Sequence, residues 1–230
     1  MHGARVGATG PQATRLVKRL RALSPAWSIS RREARWIAER QAKLLLTEAG
    51  ITAPPVPERI VSELAGVNVY PLPQMPVKGL LGASKPSGRG GDILIDSTLP
   101  LTERRVTLMH ELKHIIDGGH TTKLRQLGSQ TSGEGLCTDF ALSVLMPAPW
   151  LRADWQAGHR DLGALAERYQ VPAEAVARRL HALGLLKPRP RHRGRSYCQW
   201  QPHTKNIKAA TRGEGIDRKW VTKRKGGNNA

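Results

Sequence analysis

The sequence is short of cysteine, of acidic residues and of long apolar runs, and each shortage excludes something. Two cysteines, Cys137 and Cys198, are too few for a disulfide framework, so a reducing, cytoplasmic setting is expected. No apolar run reaches the roughly 18 residues that a membrane-spanning helix needs. The N-terminus carries Arg5, Arg15, Lys18, Arg19 and Arg21 without an apolar stretch, so it does not read as a secretory signal. Only 18 Asp and Glu stand against 37 Lys and Arg, a formal net charge of +19. With 230 residues and 39% hydrophobic composition, the chain suffices for one domain, or one and a half, around a modest core.

The excess positive charge is uneven. Residues 1–43 hold 10 Lys/Arg and 2 Asp/Glu, net +8, and residues 189–230 hold 12 and 2, net +10. The stretch between them, with 15 and 14, is nearly neutral at +1. Basic segments of this kind either solvate a tail or neutralise phosphates, so nucleic acid is a candidate partner of the arms.

Punctuation marks out the elements. A helix is expected near residues 13–23. "SRRE" from Ser30 is a capping box with Glu33, opening a helix to about Thr47 that Gly50 stops. Pro57 suits the start of a helix with Ile60, Val61, Leu64 and Ala65 on its apolar face. "VNVY" reads as a strand, and "VKGLLGAS" and "DILID" read as two more, joined by "KPSGRGG". "TERRVTLMHELKHIID" is helical with Thr102 as its N-cap, 118–133 is a polar loop, and "EGLCTDFALSVLM" is a helix stopped by "PAP". Residues 161–186 read as two further helices. Trp150 and Trp155 flank a helix start and are expected to pack at the edge of the core. The fold class is α+β: a mostly helical domain with a small sheet. Its expected parts are a basic N-terminal arm (1–29), a body (30–157), a helical hairpin packed on it (158–187) and a basic, partly disordered tail (188–230).

The chemistry concentrates in "TLMHELKHIIDGGH". Residues four apart share a helix face, so His110 and His114 can offer imidazole nitrogens to one ion. Glu111 lies about 100° round the helix and reaches a metal-polarised water instead, the position of a general base. Val106, Met109, Leu112 and Ile116 make an apolar stripe that packs the helix and buries the site beside it. A catalytic zinc usually takes three protein ligands. His120 stands at the metzincin spacing, but Asp117 occupies the position that calls for glycine. Glu134, near the start of the next helix, is the gluzincin alternative, and spacing leaves both open.

Three blocks of sequence resemble the ImmA/IrrE family of metallo-endopeptidases. They are "GLLGAS…GDILIDSTLPLTERRVTLMHELKHIIDG", "EGLCTDFALSVLMP" and, more faintly, "ITAPPVPERIVSELAGVNVYPLP", together covering about residues 34–187. The resemblance implies one Zn2+ held by His110, His114 and Glu134, with Glu111 as base, and leaves His120 a bystander. It also implies a residue four after Glu134, often Asn or Asp in the family, that orients a histidine; Thr138 stands there, with Asp139 beside it, and either can serve. Lys113 stands where a small residue is common. The substrate implied is a helix-turn-helix transcriptional repressor, cut to lift repression in a mobile element or stress response. Two imidazoles and a carboxylate suit zinc best among common ions.

Cys137 shares a helix side with Glu134 and Ala141 and reads as a small buried core residue. Cys198 and His203 have no partner pair for a second metal site. Leu162, Leu165, Ala166, Tyr169, Val171, Val176, Leu180 and Leu183 have the spacing of a helix-turn-helix, with Arg178 and Arg179 positioned for phosphate or bases. The same pattern suits a hairpin packed on the peptidase body. The alternative function is therefore a DNA-binding regulator with a non-catalytic metal site, using residues 162–186 and the basic arms.

Overall fold

The computed structural model describes residues 13–25, 29–118 and 130–187. The fold is α+β, with eight helices and one three-stranded sheet among the described residues. Helices α1 (Ala13–Ala22) and α2 (Arg31–Glu48) come first, then the short α3 (Arg59–Ser62). Strands β1 (Val67–Leu72), β2 (Gly82–Pro86) and β3 (Gly91–Asp96) follow. The rest is helical: α4 (Leu101–Ile116), α5 (Gln130–Leu145), α6 (Ala148–Gln156), α7 (Leu162–Tyr169) and α8 (Ala173–Ala182).

Local chemistry explains most boundaries. The capping box at α2 forms as read: Ser30 Oγ accepts from the Glu33 backbone N–H at 3.3 Å, and Glu33 Oε2 accepts from the Ser30 N–H at 2.7 Å. Thr102 is not the N-cap of α4. Pro100 takes that position with φ −50°, two residues earlier than expected. α5 likewise starts at Gln130, one turn before Glu134.

The sheet order is β1-β3-β2, with β1 parallel and β2 antiparallel to β3, so β2 is an edge strand. At the far end of the β2–β3 hairpin the backbone crowds the start of β1. A Cβ on Gly90 would stand 2.0 Å from Gly66 O, so only glycine permits that approach.

α4 is the centre of the molecule. Every residue from Arg105 to Ile116 is buried, which marks a helix enclosed on all sides rather than one with a wet face. Val106, Met109 and Leu112 pack in one core with Leu45 of α2 and with Phe140, Leu142 and Leu145 of α5.

The N-terminal segment is only partly an arm. Leu16, Val17 and Leu20 of α1 enter the same core. Arg21 donates to Ser87 O at 2.9 Å, Gly88 O at 2.7 Å and Ile115 O at 2.9 Å, tying the β2–β3 turn to the C-terminal carbonyls of α4. A cation is favoured at that end of a helix, where the unpaired carbonyls concentrate negative charge.

The hairpin of α7 and α8 joins the core too, through Leu165, Tyr169, Val171, Val176 and Leu180. Gln170 takes the left-handed conformation between the two helices, φ 51°. Its side-chain oxygen accepts from the buried Arg105 of α4 at 2.7 Å, so the turn is fastened to the central helix. Trp150 and Trp155 are partly buried against the core, on α6.

Candidate metal centre

Two helices build the site. α4 supplies His110, Glu111 and His114, and α5, packed across it, supplies Glu134, Cys137 and Thr138. His110 and Glu111 are fully buried, and His114 is 5% exposed. The Glu134 side chain is 35% exposed, so the cluster meets solvent on the carboxylate side.

Three atoms converge. His110 Nε2 lies 3.1 Å from Glu134 Oε2 and 3.2 Å from His114 Nε2, and His114 Nε2 lies 3.6 Å from Glu134 Oε2. A tetrahedral ion with bonds of 2.0–2.1 Å separates its ligands by about 3.3 Å. The sides of the triangle, 3.1, 3.2 and 3.6 Å, bracket that edge.

Thr138 lies against the outer nitrogen of His110. Its hydroxyl donates to the Glu134 backbone carbonyl at 3.1 Å, so its lone pairs accept from His110 Nδ1, 3.2 Å away. With a metal on Nε2 the imidazole proton would be on Nδ1, where the Thr138 hydroxyl can accept it. Asp139, the other residue expected to orient a histidine, points elsewhere. It pairs with Arg35 at 3.0 Å and Arg178 at 2.8 Å, because its position on α5 faces α2 and α8.

Cys137 is more than core filler. It is buried, and its Sγ stands 3.7 Å from His114 Nδ1. Buried His110, His114 and Cys137, whose donor atoms lie within 4.8 Å of one another, could hold a metal ion. The two candidate triads differ in direction. Cys137 addresses the Nδ1 of His114, whereas Glu134 faces the Nε2 atoms of both histidines. Sequence reasoning missed the cysteine contact, although its place one turn after Glu134 was a signal for it.

The electrostatics divide the histidines. Burial pushes His110 down to about 4, against the opposing pull of Glu134. His114 is held well above its ordinary value: burial acts to lower it, but Cys137, Glu134 and Glu111 outweigh burial. Glu134 is held below the usual carboxylate range by both histidines, which overcome its own desolvation. Burial pushes the Cys137 thiol up.

Glu111 is positioned from the sheet side. A Cβ on Gly82 would stand 2.7 Å from Thr107 Cγ2 and 3.1 Å from Glu111 Cγ. Gly82 therefore lets the edge strand β2 close on the carboxylate, a role that no motif announced. Lys113 is 2% exposed and donates to Asp117, also buried, with its ammonium 5.8 Å from the centre of the Phe140 ring.

The two arginines expected to face phosphate turn inward. Arg178 donates to Asp139 at 2.8 Å and to Gly135 O at 3.2 Å. Arg179, 4% exposed, forks onto Glu39 and donates to Met146 O at 3.0 Å. They fasten α8 to α2 and α5, so neither is presented outward. His120, Cys198, His203 and the C-terminal tail lie outside the described residues.

No helix among the described residues is long and apolar enough to cross a membrane. No curated protein matches the chain significantly. Nine chains of solved structures match. One of them, a Mycobacterium tuberculosis transcriptional regulator, aligns at 20% identity with a TM-score of 0.49, over 80% of this chain and 53% of its own. This chain thus spans about half the length of that protein. A peptidase family model described as the IrrE N-terminal-like domain matches residues 63–181, more than half of the chain and the whole of the His-Glu-x-x-His site. The chain belongs to the IrrE N-terminal-like domain family of peptidases.

Proposed function

We propose that this protein is a zinc-dependent endopeptidase, with His110, His114 and Glu134 as the metal ligands and Glu111 as the general base. The observation that carries the reading is the triangle of two Nε2 atoms and Glu134 Oε2, with sides of 3.1, 3.2 and 3.6 Å. Three lone-pair-bearing atoms turned to one point are what a small cation satisfies, and the donor set of two imidazoles and a carboxylate suits zinc. Cys137 then supports His114 from its Nδ1 side and is not a ligand.

When bound, the ion supplies Lewis acidity toward a water and toward a peptide carbonyl. The chain's own residues do the proton work. Glu111 takes a proton from the attacking water as the water oxygen bonds to the scissile carbonyl carbon. It passes that proton to the amide nitrogen, and the C–N bond breaks to a carboxyl group and an amine. Thr138 keeps His110 in the tautomer the site requires. β2, an edge strand that runs past Glu111 at Gly82, offers backbone groups to which an extended peptide can add.

The substrate proposed is a helix-turn-helix transcriptional repressor, on the resemblance of the "HELKH" and "EGLCTDFALSVLMP" blocks to the ImmA/IrrE peptidases. The test is incubation of purified protein with the repressor encoded beside it. The wild-type chain with zinc yields two fragments, and Glu111→Gln yields none while still binding one zinc ion per chain. A Glu111→Gln variant that cuts at the wild-type rate refutes the mechanism.

A further inference from the structure

With Arg178 and Arg179 tied inside, cations that meet no acid stand on a different face. On α2, Arg32, Trp36, Arg40 and Lys43 recur at i, i+4, i+8 and i+11, which at 100° per residue places them within an arc of about 80°. All four are exposed, and Trp36 exposes 59% of its surface. The opposite side of α2, with Ala34, Ala38, Ala42 and Leu45, is in the core, so the stripe points at solvent. Among the described residues, the ion pairs involve none of Arg32, Arg40 and Lys43, although α2 offers Glu33, Glu39 and Glu48 nearby. The Arg40 guanidinium lies 4.6 Å from the centre of the Trp36 ring and holds the indole as a flat platform at the surface.

We propose that this face binds single-stranded nucleic acid, with a base stacked on Trp36 and neighbouring phosphates paired with Arg32, Arg40 and Lys43. The combination decides the partner. A basic track with an aromatic platform is the pattern of single-strand binding, because every base has a π-face for the ring and every linkage a charge for the track. A duplex would engage the three cations and leave the indole unused. An acidic polypeptide would also satisfy the cations but brings a flat ring to Trp36 only where it carries an aromatic side chain, whereas a nucleic acid strand carries one at every unit. From Arg32 to Lys43 the stripe runs about 16 Å along the helix, enough for a few nucleotides. The site is separate from the proposed peptidase centre and does not depend on it.

The experiment is fluorescence anisotropy with the full chain, a labelled single-stranded oligonucleotide and an abasic strand of the same length. Trp36→Ala is expected to bind the oligonucleotide about tenfold more weakly. It should bind the abasic strand like wild type, and Trp36→Phe should retain most of the affinity. The double variant Arg32→Gln, Arg40→Gln is expected to reduce the slope of log affinity against log salt by about 1.4. Because Trp36 is exposed, circular dichroism of the variants should match wild type. Attachment by the basic tail alone would leave both strands indifferent to Trp36 and would overturn the proposal. So would polyglutamate that binds with the same dependence on Trp36, since the face would then be one for acidic proteins.

Discussion

Replacing Thr138 by valine removes a hydroxyl while nearly keeping the shape of the side chain. The hydroxyl does two things: it donates to the Glu134 carbonyl at 3.1 Å and accepts from His110 Nδ1 at 3.2 Å. The first bond is redundant, because helical geometry already gives that carbonyl a backbone N–H from four residues on. The second is not redundant once a metal is bound. A metal on Nε2 forces the proton onto Nδ1, and in Thr138→Val that buried N–H loses the Thr138 acceptor. A buried donor left unsatisfied costs about 1–3 kcal/mol. Without metal the imidazole can shift its proton to Nε2, toward Glu134, and escape the penalty. The cost therefore falls on metal affinity, and zinc binding should weaken about 10- to 100-fold. Chelator competition measures the zinc Kd, and thermal melting in excess chelator measures the metal-free fold. The expected pattern is a weakened Kd, an unchanged metal-free Tm and recovery in Thr138→Ser. An unchanged Kd, or a metal-free Tm that falls as far as the zinc-bound one, would refute the assignment of Thr138 as the residue that fixes the His110 tautomer.

Gly82→Ala forces a methyl to within 2.7 Å of Thr107 and 3.1 Å of Glu111, so peptide hydrolysis should fall more than tenfold with zinc content unchanged; wild-type turnover would show that β2 does not position the base. Asp117→Asn strands the buried Lys113 ammonium and should destabilise the protein by about 3–5 kcal/mol in urea denaturation, most of it recovered by adding Lys113→Met. A loss under about 1 kcal/mol would mean that the pair is solvated in solution. His114 is held protonated well above the ordinary imidazole range, and metal needs the neutral ring, so binding expels a proton. The sign follows: zinc affinity rises with pH, by about tenfold per unit below that raised value, and a flat profile around neutrality would refute it.

The local elements were legible where one residue decides them. Ser30 and Glu33 announce α2 because a capping box is a contact between neighbours in sequence. The Ile-Leu-Ile run of "DILID" announces β3 for the same kind of reason. Thr102 misled because it too is an N-cap residue type, while Pro100 already fixed the backbone that starts α4. Arg178 and Arg179 stayed open between two readings because an arginine reads alike from sequence whether it faces phosphate or a carboxylate on another helix. Their partners Asp139 and Glu39 lie 39 and 140 residues away.

The sequence by itself determined the pairing of His110 with His114 and the offset of Glu111, since a helix of 3.6 residues per turn dictates both. It also determined the uneven distribution of charge and the family resemblance. Tertiary structure alone decided the rest. Glu134 comes to 3.1 Å from His110 and Cys137 to 3.7 Å from His114 because α5 packs across α4, and Gly82 comes against Glu111 because the edge strand lies on the same helix. Those contacts join residues tens of positions apart, and their distances are set by how side chains interlock between elements, which no spacing within one element encodes.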